Sequence, residues 1–251
     1  MIALDARWNG FGGLHGGVVL AWLLEQAEVK KDHLPTAITA HFLSRVAPEE
    51  AEFETQHVHQ GRTTGMSVVN LHQGGKLRAH AVVSHSAGHG STLWEETVDL
   101  SGLARPSSLA RFVPPTTFAP VGAQLDVRPI NGITPLSGAD RPHYEAWVGF
   151  QDAEVPEALG PWGTVAVVLD ALPPGLLAIA TEPRPVPTVE LSAHFAPCAS
   201  VLEEWYHVHH RTVWANGSVC VDETELRNAR GELVAQARQS RRVLAGGTAS
   251  D

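Results

Sequence analysis

Two polar residues occupy positions where their neighbours are apolar, and both could take part in acid–base chemistry. Asp170 follows the run VAVVL, and a carboxylate there is costly to bury without hydrogen-bond partners. Gln239 alternates with Ala235 and Ala237, so a strand would place it on their apolar face. Together, a carboxylate and an amide could bind a water and take its proton. The alternatives are an exposed Asp at a helix C-terminus and a Gln that caps backbone groups at a fraying edge.

The stretch GFGGLHG (10–16) places glycines ahead of an apolar helix, as in a dinucleotide-binding loop. The context excludes that function, because MIALDARWN is too short and polar to be the buried strand that such a loop follows. Helix N-terminal amides carry partial positive charge, so Gly16 and Gly17 are expected to face a negatively polarised group of a ligand or substrate. Gly17→Val should then lower turnover more than stability. His15 could contact the substrate or only pack and cap the helix.

Fourteen histidines suggest a metal hypothesis. HVH (57–59) and HVHH (207–210) each put two imidazoles on one strand face, a spacing that can chelate zinc. No third ligand is obvious nearby, so we expect solvated or interfacial histidines on outer strands, with no metal and no cofactor. SHSAG (84–88) lacks the leading glycine and the strand–turn–helix context of a nucleophile elbow, which disfavours a serine hydrolase. Glu25, a weak candidate for a second acid, is expected to be solvated.

The bulk composition limits the classes of function. The 251-residue chain is 43% hydrophobic with a net charge of −9, so it can bury a sizeable core and is unsuited to nucleic-acid binding. Two cysteines, Cys198 and Cys220, are too few for a disulfide framework. No signal peptide begins the chain, and no apolar run reaches the roughly 18 residues that span a bilayer. We therefore expect a cytoplasmic protein without a membrane span.

The chain contains an internal repeat. AHF occurs at 40–42 and again at 193–195, and an apolar, helix-like stretch precedes each copy, GGVVLAWLLEQAE in the first and WGTVAVVLDAL in the second. Downstream of AHF, residues 61–85 and 217–241 align without a gap when Gly61 is placed on Gly217. Self-similarity of this kind indicates one structural unit formed twice.

Each copy is predicted as a helix followed by three or four antiparallel strands. In the first copy, 58–72 and 76–85 alternate apolar with polar residues and are joined by the turn QGG. An apolar helix beside a strongly twisted antiparallel sheet favours an α+β fold in which the sheet wraps the helix. A segment rich in Pro, Ser and Gly separates the copies. The predicted domains are 1–105 and 123–251, with a linker at 106–122.

These segments, in this order, resemble the double hotdog acyl-CoA thioesterases of the acyl-CoA thioesterase II type. In the first half the resemblance rests on GLHGGVV, AHFLSRVAP and GR…QGGKLRAHAVVSH. In the second half it rests on LDVRPI, EAWVGF, VLDALPPG, PTVELSAHF and GELVAQARQS. The resemblance covers nearly the whole chain. It implies two tandem hotdog domains, each a long helix wrapped by a twisted antiparallel sheet, that pair within one chain as a pseudo-dimer.

The resemblance also implies hydrolysis of acyl-CoA thioesters to free acid and CoA by an activated water. Carried over residue by residue, the family's Asp, Thr and Gln fall on Asp170, Thr188 and Gln239, with Ser192 as the alternative hydroxyl. Thioester hydrolysis needs a group that takes the proton of the water and donors for the oxyanion. The helix N-terminus would supply the substrate-binding and oxyanion groups, which are His15, Gly16 and Gly17.

Two other functions are compatible with a hotdog fold. A non-catalytic acyl- or acyl-CoA-binding protein would keep the fold without turnover, and fold alone does not decide function. A hotdog hydratase or dehydratase needs an Asp and a His close together on one loop, and the sequence has no such motif. The expected partner is an acyl-CoA substrate, and the pseudo-dimer could assemble into a homo-oligomer. The residues that could meet CoA phosphates are Arg62, Arg111, Arg141, Arg241 and Arg242.

Overall fold

A computed structural model describes residues 2–88, 92–117, 119–196 and 201–245, so Cys198 lies outside the described residues. Along this part of the chain, a helix followed by a run of strands occurs twice. The helices are α1 (Gly16–Gln26), α2 (Glu154–Leu169) and the short α3 (Leu176–Ile179). The strands are β1 (Ile2–Ala3), β2 (His33–Phe42), β3 (Glu50–Gln60), β4 (Thr64–Gln73), β5 (Lys76–Ala87), β6 (Leu125–Pro129), β7 (His143–Phe150), β8 (Thr188–Phe195), β9 (Tyr206–Ala215), β10 (Val219–Arg227) and β11 (Leu233–Arg242).

The strands of the described residues form one antiparallel sheet of eleven strands, in the order β1-β3-β4-β5-β2-β8-β11-β10-β9-β7-β6. The two copies meet where β2 pairs with β8, with Thr39 opposite Ser192. On either side of that junction the strand order is mirrored, β5-β4-β3 in the first copy and β11-β10-β9 in the second. The sequence repeat is therefore a structural repeat, and the predicted double hotdog architecture is confirmed.

The helices α1 and α2 lie together in the core that the sheet covers. The buried side chains of α1 include Val18, Leu20 and Leu23, and every residue of α2 from 163 to 169 is buried. A helix that is apolar nearly all round suits this central position. Within the described residues, no helix is both long and apolar enough to cross a membrane.

Two elements differ from the sequence-based prediction. The predicted strand 58–72 is two strands, because the chain turns between Gln60 and Thr64 and the N–H of Gly61 donates to the carbonyl of Thr64 across 2.9 Å. The predicted second helix is preceded by a further helical segment, and Gly160 between the two has a non-helical φ of +69° and is followed by Pro161. Glycine tolerates that angle and proline lacks the N–H that would continue the helix, so the interruption has a local cause. The domain boundaries at 105 and 122 stay a prediction.

Candidate active site

Asp170 is the C-cap residue of α2, and its carboxylate points to the N-terminus of α1. The N–H of Gly17 donates to Oδ2 across 2.9 Å, and the side-chain amide of Gln239 donates to Oδ1 across 3.1 Å. Only 9% of the residue is exposed. These donors are the partners that a buried carboxylate requires, so Asp170 is not the solvent-facing acid of the alternative interpretation.

His15, the N-cap residue of α1, faces the same carboxylate. Its Nε2 lies 2.8 Å from the backbone oxygen of Asp170 and 3.6 Å from Oδ2. A carbonyl oxygen only accepts hydrogen bonds, so Nε2 carries a proton and donates it to that oxygen. His15 thereby connects the end of α2 to the beginning of α1.

The two glycines at the start of α1 have different surroundings. A Cβ on Gly17 would lie 2.6 Å from the backbone oxygen of Ala166, so this glycine lets the two helices touch. A Cβ on Gly16 would lie 2.7 Å from Oδ2 of Asp170 and 3.6 Å from the ring of Phe42. Within the described residues, no acceptor binds the N–H of Gly16. Gly16 therefore leaves one side of the carboxylate open and presents a free amide there.

Thr188 and Gln239 join Asp170 through a hydrogen-bond chain. Gln239 is fully buried on β11, an inner strand between β8 and β10, so it does not cap a fraying edge. The hydroxyl of Thr188 donates to its Oε1 across 3.0 Å. Ser192 lies elsewhere, because its hydroxyl bonds to the Glu190 carboxylate and lies 3.1 Å from the hydroxyl of Thr39. The structure thus brings Thr188, and not Ser192, to the predicted Asp and Gln.

Arg241 forms one cluster with Asp170, Thr188 and Gln239. From the sequence alone, it was one of several arginines that could meet CoA phosphates. It is 6% exposed, its Nη1 donates to the Thr188 hydroxyl across 2.8 Å, and its Nη2 lies 3.4 Å from Oδ1 of Asp170. Arg111 also turns inward and donates to backbone carbonyls. The signal for Arg241 was its position two residues after Gln239, because strand alternation puts both on the core face.

Asp222 lies behind Arg241 and is 0% exposed. Its Oδ2 is 2.8 Å from Nε of Arg241 and 3.5 Å from Nε2 of His210, and the Thr212 hydroxyl donates to Oδ1 across 2.6 Å. Burial alone would raise the pKa of this carboxyl, but His210, Arg241 and the Thr212 hydroxyl outweigh burial and hold the pKa below its ordinary value. Asp222 is therefore a buried negative charge that balances Arg241.

The other candidate residues lie outside this cluster. β9 is paired on both sides, so the prediction that HVHH (207–210) lies on an outer strand is wrong. His207 and His210 are buried and His209 is half-buried, so this histidine pair is not solvated. His207 lies 2.8 Å from the carboxylate of Glu145. Glu25 is exposed, as predicted. In the part of the chain that the structure describes, no group of three or more His, Cys, Asp or Glu side chains could hold a metal ion.

The repeat does not reproduce the cluster in the other half. Aligning α1 with α2 places Leu24 where the second copy has Asp170, and that leucine is buried. Trp162 stands in α2 where the first copy has Gly16, and its ring packs edge-on against Phe195 at a centroid distance of 5.4 Å. The counterpart position therefore has no carboxylate, and an indole fills the space that Gly16 leaves open.

The sequence matches the two halves of one protein family. Residues 4–86 match the family model described as the acyl-CoA thioesterase N-terminal domain. Residues 103–243 match the acyl-CoA thioesterase C-terminal domain. No curated protein sequence matches the chain significantly.

Solved structures share the fold over nearly the whole chain. A conserved protein of unknown function with a hot dog fold from Alicyclobacillus acidocaldarius is 19% identical, with a TM-score of 0.83 over 97% of this chain and 92% of that one. A protein from Thermobifida fusca YX that is assigned as a thioesterase II is 22% identical, with a TM-score of 0.81 over 97% of this chain and 91% of that one. An acyl-CoA thioesterase II from Mycobacterium marinum is 17% identical, with a TM-score of 0.68 over 96% and 93%. At these identities the structures establish the fold.

Proposed function

The chain belongs to the acyl-CoA thioesterase family, a family of thioester hydrolases, and we propose that it hydrolyses acyl-CoA by direct attack of a water held beside Asp170. One observation carries this proposal. A single carboxylate receives donors from Gly17 and Gln239, and the missing side chain of Gly16 leaves it accessible on one side. A fixed acceptor with one open approach is what a general base for water requires.

The reaction proceeds in two steps. Asp170 takes a proton from the water as the water oxygen bonds to the thioester carbonyl carbon, which gives a tetrahedral oxyanion. The oxyanion then collapses, the carbon–sulfur bond breaks, and the proton on Asp170 passes to the departing CoA sulfur. The products are the free acid and CoA, and the carboxylate is restored. Thr188 and Gln239 orient Asp170 and the water through their hydrogen-bond chain.

Among the proposed oxyanion donors, we assign the main role to the N–H of Gly16. The N–H of Gly17 and the Nε2–H of His15 already have acceptors on Asp170. The Gly16 amide is at the positive end of α1 and next to the open side of the carboxylate. Loss of one oxyanion-hole donor typically costs about 10²–10³ in kcat.

Release of CoA from a series of acyl-CoAs of increasing chain length, with Asp170→Asn, tests the proposal. We expect kcat to fall by roughly 10²–10⁴, the usual contribution of a general base. Asp126→Asn is the matched control, because Asp126 is also a buried carboxylate, bound to Arg128 across 2.6 and 2.9 Å and outside the cluster. It should lower stability without a comparable loss of turnover.

Two results would contradict the proposal. If Asp170→Asn keeps wild-type kcat, Asp170 is not the base. If the wild-type protein releases no CoA from any member of the series, the chain is a non-catalytic acyl-CoA-binding member of its family.

A further inference from the structure

We infer that Arg241 is a positioning residue for this reaction: it sets the direction of the hydrogen-bond chain that ends on Asp170, and the buried Asp222 holds it in place. The inference rests on the proposed function, because it concerns how the proposed base is kept as an acceptor. Arg241 contacts Thr188 and Asp170 and would act through them.

The guanidinium group of Arg241 contacts three side chains through three different nitrogens, with hydrogen bonds to Thr188 and Asp170 and an ion pair to Asp222. Nη1 donates to the Thr188 hydroxyl across 2.8 Å, Nη2 lies 3.4 Å from Oδ1 of Asp170, and Nε lies 2.8 Å from Oδ2 of Asp222. The side chain is 7% exposed, so bulk water does not replace these partners. The two terminal nitrogens of the guanidinium donate to Thr188 and Asp170 while its charge pairs with Asp222, and a lysine ammonium could serve only part of this arrangement.

The donor and acceptor roles along the hydrogen-bond chain follow from the chemistry of Arg241, with which it begins. Arginine has donors and no acceptor, so the Thr188 oxygen must accept from it. The single hydroxyl proton of Thr188 is then directed to Oε1 of Gln239 across 3.0 Å. This fixes the orientation of the amide, and Nε2 donates to Oδ1 of Asp170 across 3.1 Å. Every link requires Oδ1 of Asp170 to act as a hydrogen-bond acceptor.

Asp222, on the neighbouring strand β10, forms an ion pair with Arg241. Arg241 lies on the same core face of β11 as Gln239, and Asp222 is the residue of β10 that pairs with Gln239 in register. Among the described residues, the charged or titratable groups beside these hydrogen bonds are His15 and Arg241 at Asp170, and His210, Tyr144 and Cys220 near Asp222. The one buried arginine lies between two carboxylates, so its loss would leave both buried negative charges without their shared cation.

Comparison of the two copies shows that the fold itself does not require Arg241 or Gln239. The residue of the first copy that aligns with Arg241 is His85, and Val83 aligns with Gln239. Both first-copy residues lie on the core face of β5, in the same strand geometry. The hotdog half therefore folds around a histidine and a valine there, and only the half that contains Asp170 has the arginine and the amide.

The test measures kcat, KM and the pH dependence of kcat/KM for Arg241→Met, Arg241→Lys and Asp222→Asn. For Arg241→Met we expect kcat to fall by about 10²-fold, as for loss of hydrogen bonds to charged groups, with little change in KM. The acidic limb of the profile should move to higher pH, because a carboxylate without its neighbouring cation holds a proton more tightly. Arg241→Lys keeps the charge and should move the limb in the same direction by less. Asp222→Asn should also lower kcat, but it removes a neighbouring negative charge, so the limb should move to lower pH.

Arg227→Met is the matched control. Arg227 is equally buried in the same half, where it binds Glu225 and the backbone carbonyls of Glu96 and Gly231. It should lower the melting temperature and leave the acidic limb where it is in the wild type. If Arg241→Met does not fold, Arg241→Lys and Asp222→Asn are compared with Arg227→Met instead.

Folded Arg241 or Asp222 variants with a wild-type kcat and an unmoved acidic limb would overturn the inference. That outcome differs from failure of the proposed function. In the latter case Asp170→Asn itself keeps its activity, whereas here Asp170→Asn is inactive and only the positioning role of Arg241 is lost.

Discussion

Gln239 donates its side-chain amide to Oδ1 of Asp170 across 3.1 Å, which joins the last strand of the described chain to a helix end 69 residues earlier. The aligned residue of the first copy is Val83. A buried amide has replaced a buried apolar side chain on the core face of the sheet, and its cost is offset by partners on both of its ends.

Replacement of Gln239 by Leu tests whether this contact serves catalysis. Leu resembles the valine of the first copy, so we expect the fold to survive. Asp170 and Thr188 each lose a partner, and kcat should fall by roughly 10- to 100-fold, the equivalent of a hydrogen bond to a charged group. Gln73→Leu is the control, because Gln73 is also buried and binds only the backbone of Ala47. Equal losses of kcat in both variants would contradict a specific role.

The two glycines of α1 should respond differently to the addition of one methyl group. Gly17→Ala brings Cβ against backbone atoms of α2, so urea denaturation should show a loss of roughly 1–3 kcal/mol in the free energy of unfolding. Gly16→Ala meets the end of the Asp170 side chain and should mainly lower turnover. The close helix contact reverses the sequence-based expectation for Gly17→Val, which should lose stability first. The reverse pattern, a stable Gly17→Ala with low turnover, would contradict this assignment.

Each chain should bind one acyl-CoA. The counterpart of the Asp170 position is Leu24, and Trp162 fills the space that Gly16 leaves open on the other side. Isothermal titration calorimetry of Asp170→Asn with an intact acyl-CoA should give a stoichiometry of one per chain. A value of two would mean that the repeat has kept a second site.

His85 should make stability decrease in mild acid. It is 2% exposed, and its Nδ1 lies 2.7 Å from Nδ1 of His33. Burial, followed by the proximity of His33, Lys30 and His57, holds the pKa of His85 below its ordinary value of 6.5. The unfolded chain therefore binds more protons as pH falls through 6.5, and the free energy of unfolding falls with it.

Urea unfolding of the wild type and of His85→Gln between pH 7.5 and 5.5 measures this effect. The wild type should lose more stability over that interval than the variant. If the free energy of unfolding falls equally with pH in both proteins, the histidine pair does not cause the loss of stability.

The candidate site could be predicted from the sequence as far as local pattern reaches. Asp170 was marked by a charge at the end of an apolar run, and Gln239 by its place in strand alternation. Thr188 and Ser192 have the same parity along β8, so alternation puts both on one face. A register shift opposite Ser240 and Arg241 turns only Thr188 to the core, and nothing in the local sequence announces that shift.

The charged groups behind the site depend on contacts between distant strands. Asp222 and Arg241 are close because β10 and β11 pair in one particular register, and neither residue stands out in its own segment. The same holds for His33 and His85, which meet across β2 and β5. Such pairs follow from tertiary packing, which a single sequence does not specify.

The most direct test of the central claim is a crystal structure of Asp170→Asn with an intact acyl-CoA. We predict that the thioester carbonyl oxygen lies about 2.7–3.1 Å from the N–H of Gly16. The carbonyl carbon should lie within reach of a water bound to the side chain at position 170 and near Gln239. A thioester bound away from this cluster, for example beside Trp162 in the other half, would contradict the account.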